Sequence, residues 1–100
     1  MILQKILIAV VFISLRLFAN SAVVVPIQGT IDMGLPNYIQ RSIELAEQKS
    51  SDFIIFDIDT FGGRVDAATQ IKDIILSSQI QTIAFINRRA ISAGALIALS

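Results

Sequence analysis

The segment Phe53–Ile58, FIIFDI, constrains the chain more than any other. It is made of strand formers, and it opens with an unbroken apolar run. A strand with one wet face alternates apolar and polar residues. A continuous run fits a strand covered on both faces, as in parallel sheets. Parallel strands need long crossovers, and the flanking sequence supplies them. Ala22–Gln28 (AVVVPIQ) is rich in β-branched residues and bounded by Gly29, so it reads as a strand. Pro26 places it at an edge or a bulge. Leu35–Lys49 reads as a helix, with Pro36 in its first turn and Leu35, Ile39, Ile43 and Ala46 on one face. A turn at Asp59–Gly63 leads to a second helix over Val65–Ser77, with Ala68, Ile71 and Ile75 inward. Thr82–Ile86 (TIAFI) is a third strand, and a third helix begins from Ser92. The order βαβαβα predicts an α/β fold with a parallel sheet and right-handed crossovers.

Ala93–Leu99 is apolar on every side of a helix, so it calls for burial on every side. Nothing earlier in the chain can provide that, and no stop signal follows. The sequence therefore reads as the N-terminal part of a longer protein, with the α/β domain incomplete at its C-terminus.

Residues 1–21 read as a secretory signal. Lys5 gives the positive start, and Ile6–Leu15 is an apolar stretch interrupted only by Ser14. That length suits a signal and falls short of the ~20 residues that span a bilayer. Ala19-Asn20-Ser21 offers small residues for cleavage after Ser21, with Ala22 as the fallback. Arg16, just past the apolar stretch, leaves an uncleaved N-terminal anchor as the alternative. Residues 22–100 then make up the partial domain.

Composition excludes several mechanisms. The chain has no His, so it holds no Ser-His-Asp triad, and no Cys, so it has no thiol nucleophile, disulfide or Cys-based zinc site. Lys plus Arg number 8, as do Asp plus Glu, which gives no basic excess for nucleic acid. No metal or organic cofactor is implied.

Two turns hold the candidate chemistry. Gly62-Gly63 follows the second strand at its carboxyl end, where open α/β sheets bind ligands. Paired glycines bring backbone close to a substrate and leave amides to donate, which an oxyanion hole requires. The spacing is not that of a dinucleotide fingerprint. Ala90-Ile91-Ser92-Ala93-Gly94 links the third strand to the third helix. Ser92 there is either a simple helix cap or a nucleophile whose neighbour Ala93 lends a second amide to the developing anion. Both turns lie at the same end of adjacent strands, so Gly62, Gly63, Ser92 and Ala93 can converge.

The runs Ile58-Asp59-Thr60-Phe61-Gly62-Gly63-Arg64-Val65-Asp66-Ala67 and Arg89-Ala90-Ile91-Ser92-Ala93-Gly94-Ala95 resemble the NfeD-like membrane-bound serine proteases of the Clp-protease/crotonase superfamily. Val25–Ile31 and Tyr38–Arg41 share the likeness, which covers residues 23–100. The resemblance implies a Clp/crotonase-type fold. It implies Ser92 as the nucleophile of a Ser-Lys dyad, with backbone amides of Gly62 or Gly63 and of Ala93 as the oxyanion hole. A neutral Lys base would explain a serine protease without His, since burial lowers a lysine pKa. It further implies an exported, membrane-associated homo-oligomer, with its protease domain on the non-cytoplasmic side. The expected substrates are hydrophobic segments of stomatin-like membrane proteins.

Two departures stand out. Phe61 replaces a Pro usual in that family, which would fix φ ahead of the glycines. The family's Lys lies beyond the serine by more residues than this chain contains. Lys5, Lys49 and Lys72 are not placed to reach Ser92, so the chain as given is expected to be inactive. Three other readings compete. Asp57 and Asp59 after an apolar strand resemble a magnesium-dependent phosphatase pair of the haloacid dehalogenase type. Signal peptide peptidase A-like proteases share the dyad logic but carry Ser-Gly-Gly where this chain has Ser92-Ala93-Gly94. A degenerate copy could also serve as a non-catalytic scaffold for a membrane partner.

Overall fold

The computed structural model describes residues 20–100, so the segment read as a targeting signal lies, except for its last two residues, outside the described residues. The elements run β1 (Ala22–Gln28), α1 (Leu35–Gln48), β2 (Phe53–Thr60), α2 (Val65–Leu76), β3 (Gln81–Ala90) and α3 (Ala93–Ala98). The strands form one parallel sheet in the order β1-β2-β3. This is the α/β arrangement expected from the alternation of strand and helix. Pro26 sits on β1, at the sheet edge, where its missing N–H does not interrupt a second ladder.

A strand order that follows the sequence, joined by right-handed crossovers, puts both crossover helices on the same side of the sheet. Accordingly α1 and α2 pack against each other, and the core lies between them and one sheet face. From β2 that face contributes Ile54, Phe56 and Ile58; from β1, Val25 and Ile27. The helices answer with Ile39, Ile43 and Ala46 of α1 and Ala67, Ala68, Ile71 and Ile75 of α2. The single-face apolar stripe of α1 is thus the one its periodicity indicates, except that Leu35 is only half-buried and Pro36 is fully buried.

Three expectations need correction. First, β2 is not equally covered on both faces: buried and half-buried residues alternate from Phe53 to Thr60. Its second face bears Phe53, Ile55, Asp57 and Asp59, and no helix among the described residues lies over it. Second, β3 runs on to Ala90, well beyond Ile86. Its pairing with β2 shifts register between Ile58 and Thr60 and then resumes at Thr60–Ala90. The polar residues Asn87, Arg88 and Arg89 are carried in extended form by that ladder. Third, α3 ends at Ala98, one residue before Leu99; its burial on one side only accords with a helix that the rest of the described residues cannot cover. Ala93, Gly94 and Ile97 are buried, but Leu99, which follows it, is 87% exposed.

Truncation should separate core from surface. Phe56→Ala, at 2% exposure, is expected to cost about 3–5 kcal/mol of stability. Leu45→Ala, on the outer face of α1, is expected to stay within about 0.5 kcal/mol. Urea unfolding of the two variants beside the parent protein measures both.

Candidate active site

The site forms where β2 and β3 end and α2 and α3 begin. Thr60, the last residue of β2, is buried. Its hydroxyl donates to the Gly29 carbonyl at the end of β1 and accepts from the Gly62 amide at 3.0 Å. Its carbonyl accepts from the Ile91 amide at 3.1 Å. Its methyl leaves no room for a side chain at position 94: a Cβ on Gly94 would stand 2.5 Å from it. The β2–α2 turn is also tied to the loop after β1. The Ile31 amide donates to the Gly62 carbonyl at 3.0 Å, and the Arg64 amide donates to the Ile31 carbonyl at 2.9 Å.

The two candidate turns do converge. Gly62 is buried, with φ +109, and a Cβ there would lie 2.8 Å from the Ile91 carbonyl oxygen, 3.0 Å from Ser92 Cβ and 3.4 Å from the Ala93 nitrogen. Only a glycine fits that approach. Gly63 presses equally hard on the opposite side, since a Cβ would fall 2.3 Å from the Ile31 carbonyl oxygen. The three amides differ in availability. That of Gly62 is engaged by Thr60, whereas those of Gly63 and Ala93 donate to no protein acceptor among the described residues.

Ser92 lies exposed at this junction with φ 56 and ψ −120. Among the described residues, Ser50 and Ser92 are the non-glycine residues with positive φ. Ser50 follows the end of α1, where a left-handed residue is common. Ser92 is different: its ψ lies far from the left-handed helical value near +47°. Such backbone costs about 1–3 kcal/mol for a residue with a Cβ and concentrates at functional sites. A serine on a sharp strand-to-helix turn has its hydroxyl pushed forward, as in a nucleophile elbow. Ser92 precedes α3 but makes no side-chain capping bond to it, so capping does not account for it.

Charged groups surround the turns unevenly. Arg64 contacts Asp66 at 2.6 and 3.0 Å. That hydrogen bond holds the Asp66 carboxyl below its usual range, helped by the Ala67 amide. The benefit is present above the ordinary carboxylate pKa and fades as pH falls through the lowered one. Both partners are exposed, so it contributes little. Asp59 faces Arg89 at 3.6 Å, and Asp57 Oδ1 is buried without a partner among the described residues. No cluster of three or more His, Cys, Asp or Glu among the described residues could hold a metal ion. Lys49 caps the end of α1 and Lys72 lies on α2. Thr60 is the residue whose part in the site could not be read ahead of the structure, because its partners lie on β1, α3 and both turns.

The sheet topology and this strand-end site define a ClpP-like protease fold. ClpP1 from Listeria monocytogenes superposes with a TM-score of 0.70 at 30% identity, over 74% of this chain and 44% of that one. A membrane protease of Pyrococcus horikoshii, 1510-N, specific for a stomatin homolog, superposes with a TM-score of 0.74 at 37% identity, over 81% of this chain and 42% of that one. Solved forms of 1510-N include a serine-to-alanine mutant and a lysine-to-alanine mutant in complex with a substrate peptide. The profile of the NfeD1b N-terminal domain matches residues 21–100, and the chain belongs to that family. Membrane protein NfeD1b of Bacillus subtilis (strain 168) is 42% identical over 76 residues, which is 76% of this chain and 17% of that protein. Membrane-bound protease PH1510 of P. horikoshii is 35% identical over 97 residues, covering 93% of this chain and 22% of that protein. The chain thus spans about a fifth of the length of these relatives. No helix among the described residues is long and apolar enough to cross a membrane.

Thr60→Val keeps the shape and removes the hydroxyl. It is expected to leave the buried Gly62 amide unsatisfied and to cost about 1–3 kcal/mol. Urea unfolding measures that loss, and amide exchange at Gly62 should accelerate beyond the global effect.

Proposed function

We propose that this chain supplies the nucleophile and the oxyanion-binding turns of a membrane-associated serine endopeptidase. The observation that carries the reading is Ser92: a strained, exposed, non-capping serine with the Gly62 backbone packed against it. Ser92 Oγ attacks the scissile carbonyl. The oxygen becomes an oxyanion and accepts hydrogen bonds from the amides of Gly63 and Ala93. Gly62 contributes the close approach, and its own amide stays with Thr60. Two fixed donors aimed at developing charge are worth far more in a sheltered site than in water. The intermediate then collapses. The peptide C–N bond breaks, the amine leaves with a proton, and an acyl-enzyme on Ser92 remains for water to hydrolyse.

The base that takes the serine proton is, in this proposal, a neutral lysine from sequence following Ser100 in a longer protein. The chain lacks His; among the described residues Lys49 caps the end of α1 and Lys72 lies within α2. Support comes from 1510-N, whose solved mutants replace a serine and a lysine. By itself the 100-residue chain is inactive on this reading. The substrate class is a hydrophobic segment of a stomatin-like membrane protein, after the specificity in that relative's name. The working form is an exported homo-oligomer, with the protease domain on the non-cytoplasmic side.

A fluorophosphonate probe applied to the full-length protein tests this directly. The adduct is expected on the peptide containing Ser92, at a rate that rises with pH as the lysine deprotonates. Ser92→Ala is expected to abolish labelling and to lower peptide cleavage by at least about 10³-fold. Labelling that survives Ser92→Ala, or cleavage unaffected by it, would overturn the assignment.

A further inference from the structure

We infer that Arg89 is a positioning residue that clamps the Phe61-Gly62-Gly63 turn against the turn carrying Ser92. The inference deepens the peptidase reading and rests on it for its catalytic meaning, though its structural content stands separately. Arg89 lies near the end of β3, three residues before Ser92. Its guanidinium stacks 4.3 Å from the centroid of the Phe61 ring, and its Nε stands 3.6 Å from Asp59 Oδ1. Asp59 and Phe61 flank Thr60 at the end of β2. One side chain from the Ser92 strand therefore grips the glycine turn on both sides of the strand terminus.

The need for such a grip follows from what else holds the turn. Thr60 fixes the Gly62 amide, and Ile31 fixes the Gly62 carbonyl. The Gly63 amide has no protein partner among the described residues. Phe61 is 70% exposed, so hydrophobic packing does not restrain it. Its contact with Arg89 restrains the residue immediately before the paired glycines. A planar guanidinium can stack on a ring while facing a carboxylate, a combination that an ammonium reproduces only in part. Arg89 is half-buried, and Asp59 beside it is half-buried too. The Arg89–Asp59 side of the clamp is thus partly shielded from solvent, whereas the Phe61 side is open to it. It acts across the mouth of the site, on the backbone that carries the Gly63 donor.

Arg89→Ala, Arg89→Lys and Phe61→Leu in the full-length protein decide the matter. The first readout needs no catalysis: native-state hydrogen exchange at Gly62 and Arg64, the hydrogen-bonded amides on either side of Gly63. Arg89→Ala is expected to speed exchange there by about tenfold while core amides such as Ile71 keep their protection. Arg89→Lys should fall between Arg89→Ala and the parent. Adding Phe61→Leu to Arg89→Ala should bring little further change, because the two act through one contact. The second readout is the fluorophosphonate labelling rate at Ser92. It is expected to drop by about tenfold or more in Arg89→Ala, as misplacement of a donor predicts. Peptide KM should change little. Exchange at Gly62 and Arg64 within twofold of the parent would overturn the clamp, as would acceleration spread evenly over the core. Altered exchange with an unaltered labelling rate would overturn the positioning role for Gly63. If the parent fails to label at all, the peptidase reading falls, and the exchange data still decide whether Arg89 holds the turn.

Discussion

At Thr60 three separate pieces of chain meet through one residue. Its hydroxyl reaches back to Gly29 and forward to Gly62, its carbonyl takes the Ile91 amide, and its methyl abuts Gly94. A buried hydroxyl must find both an acceptor and a donor or forfeit its hydration. Satisfying this one fixes where β1 ends, how the glycine turn leaves β2, and where α3 starts. The relative position of Ser92 and the paired glycines is a by-product of that satisfaction. The site is therefore assembled from the core outward, with local loop preference playing the smaller part.

Sheet order matters at a larger scale. Consecutive parallel strands place every β-to-α turn at one end of the sheet. The turn after β2 and the turn after β3 are neighbours because their strands are neighbours. The same order gathers both crossover helices on one face, which explains the alternation in β2. Ile54, Phe56 and Ile58 meet helix, while Ile55 and Asp57 on the second face do not.

Much of this was legible in the residues, and the gaps have physical causes. The strand and helix order follows from periodicity, since FIIFDI and the Leu35–Ala46 stripe each allow one reading. The pairing of Gly62-Gly63 with Ser92 is visible once two turns are known to share a sheet end. The length of β3 is not, because Asn87-Arg88-Arg89 carries loop-like composition and is held extended by a ladder resuming after a register shift. The apolar run in β2 suggested cover on both faces, but a run of that kind records what a strand can tolerate. It does not say that both faces are covered equally. Thr60 escaped attention because a threonine at a strand end is ordinary, and its partners other than Gly62 are distant in sequence. The backbone angle of Ser92 was hidden for a related reason: the turn is imposed by tertiary packing against Gly62, and serine has no propensity for it.

That backbone angle places two pressures on a single codon. Glycine at position 92 would relax the positive φ and, by that measure alone, make the protein more stable. It would also delete the hydroxyl. A lineage that stopped using the hydroxyl would have nothing to hold serine there and a steady thermodynamic gradient toward losing it. On the peptidase reading proposed above, the identity of this one residue would work as a molecular fossil marker: in a relative sharing the Gly62 packing, serine at this angle is expected where the hydroxyl is used, and glycine where it is not.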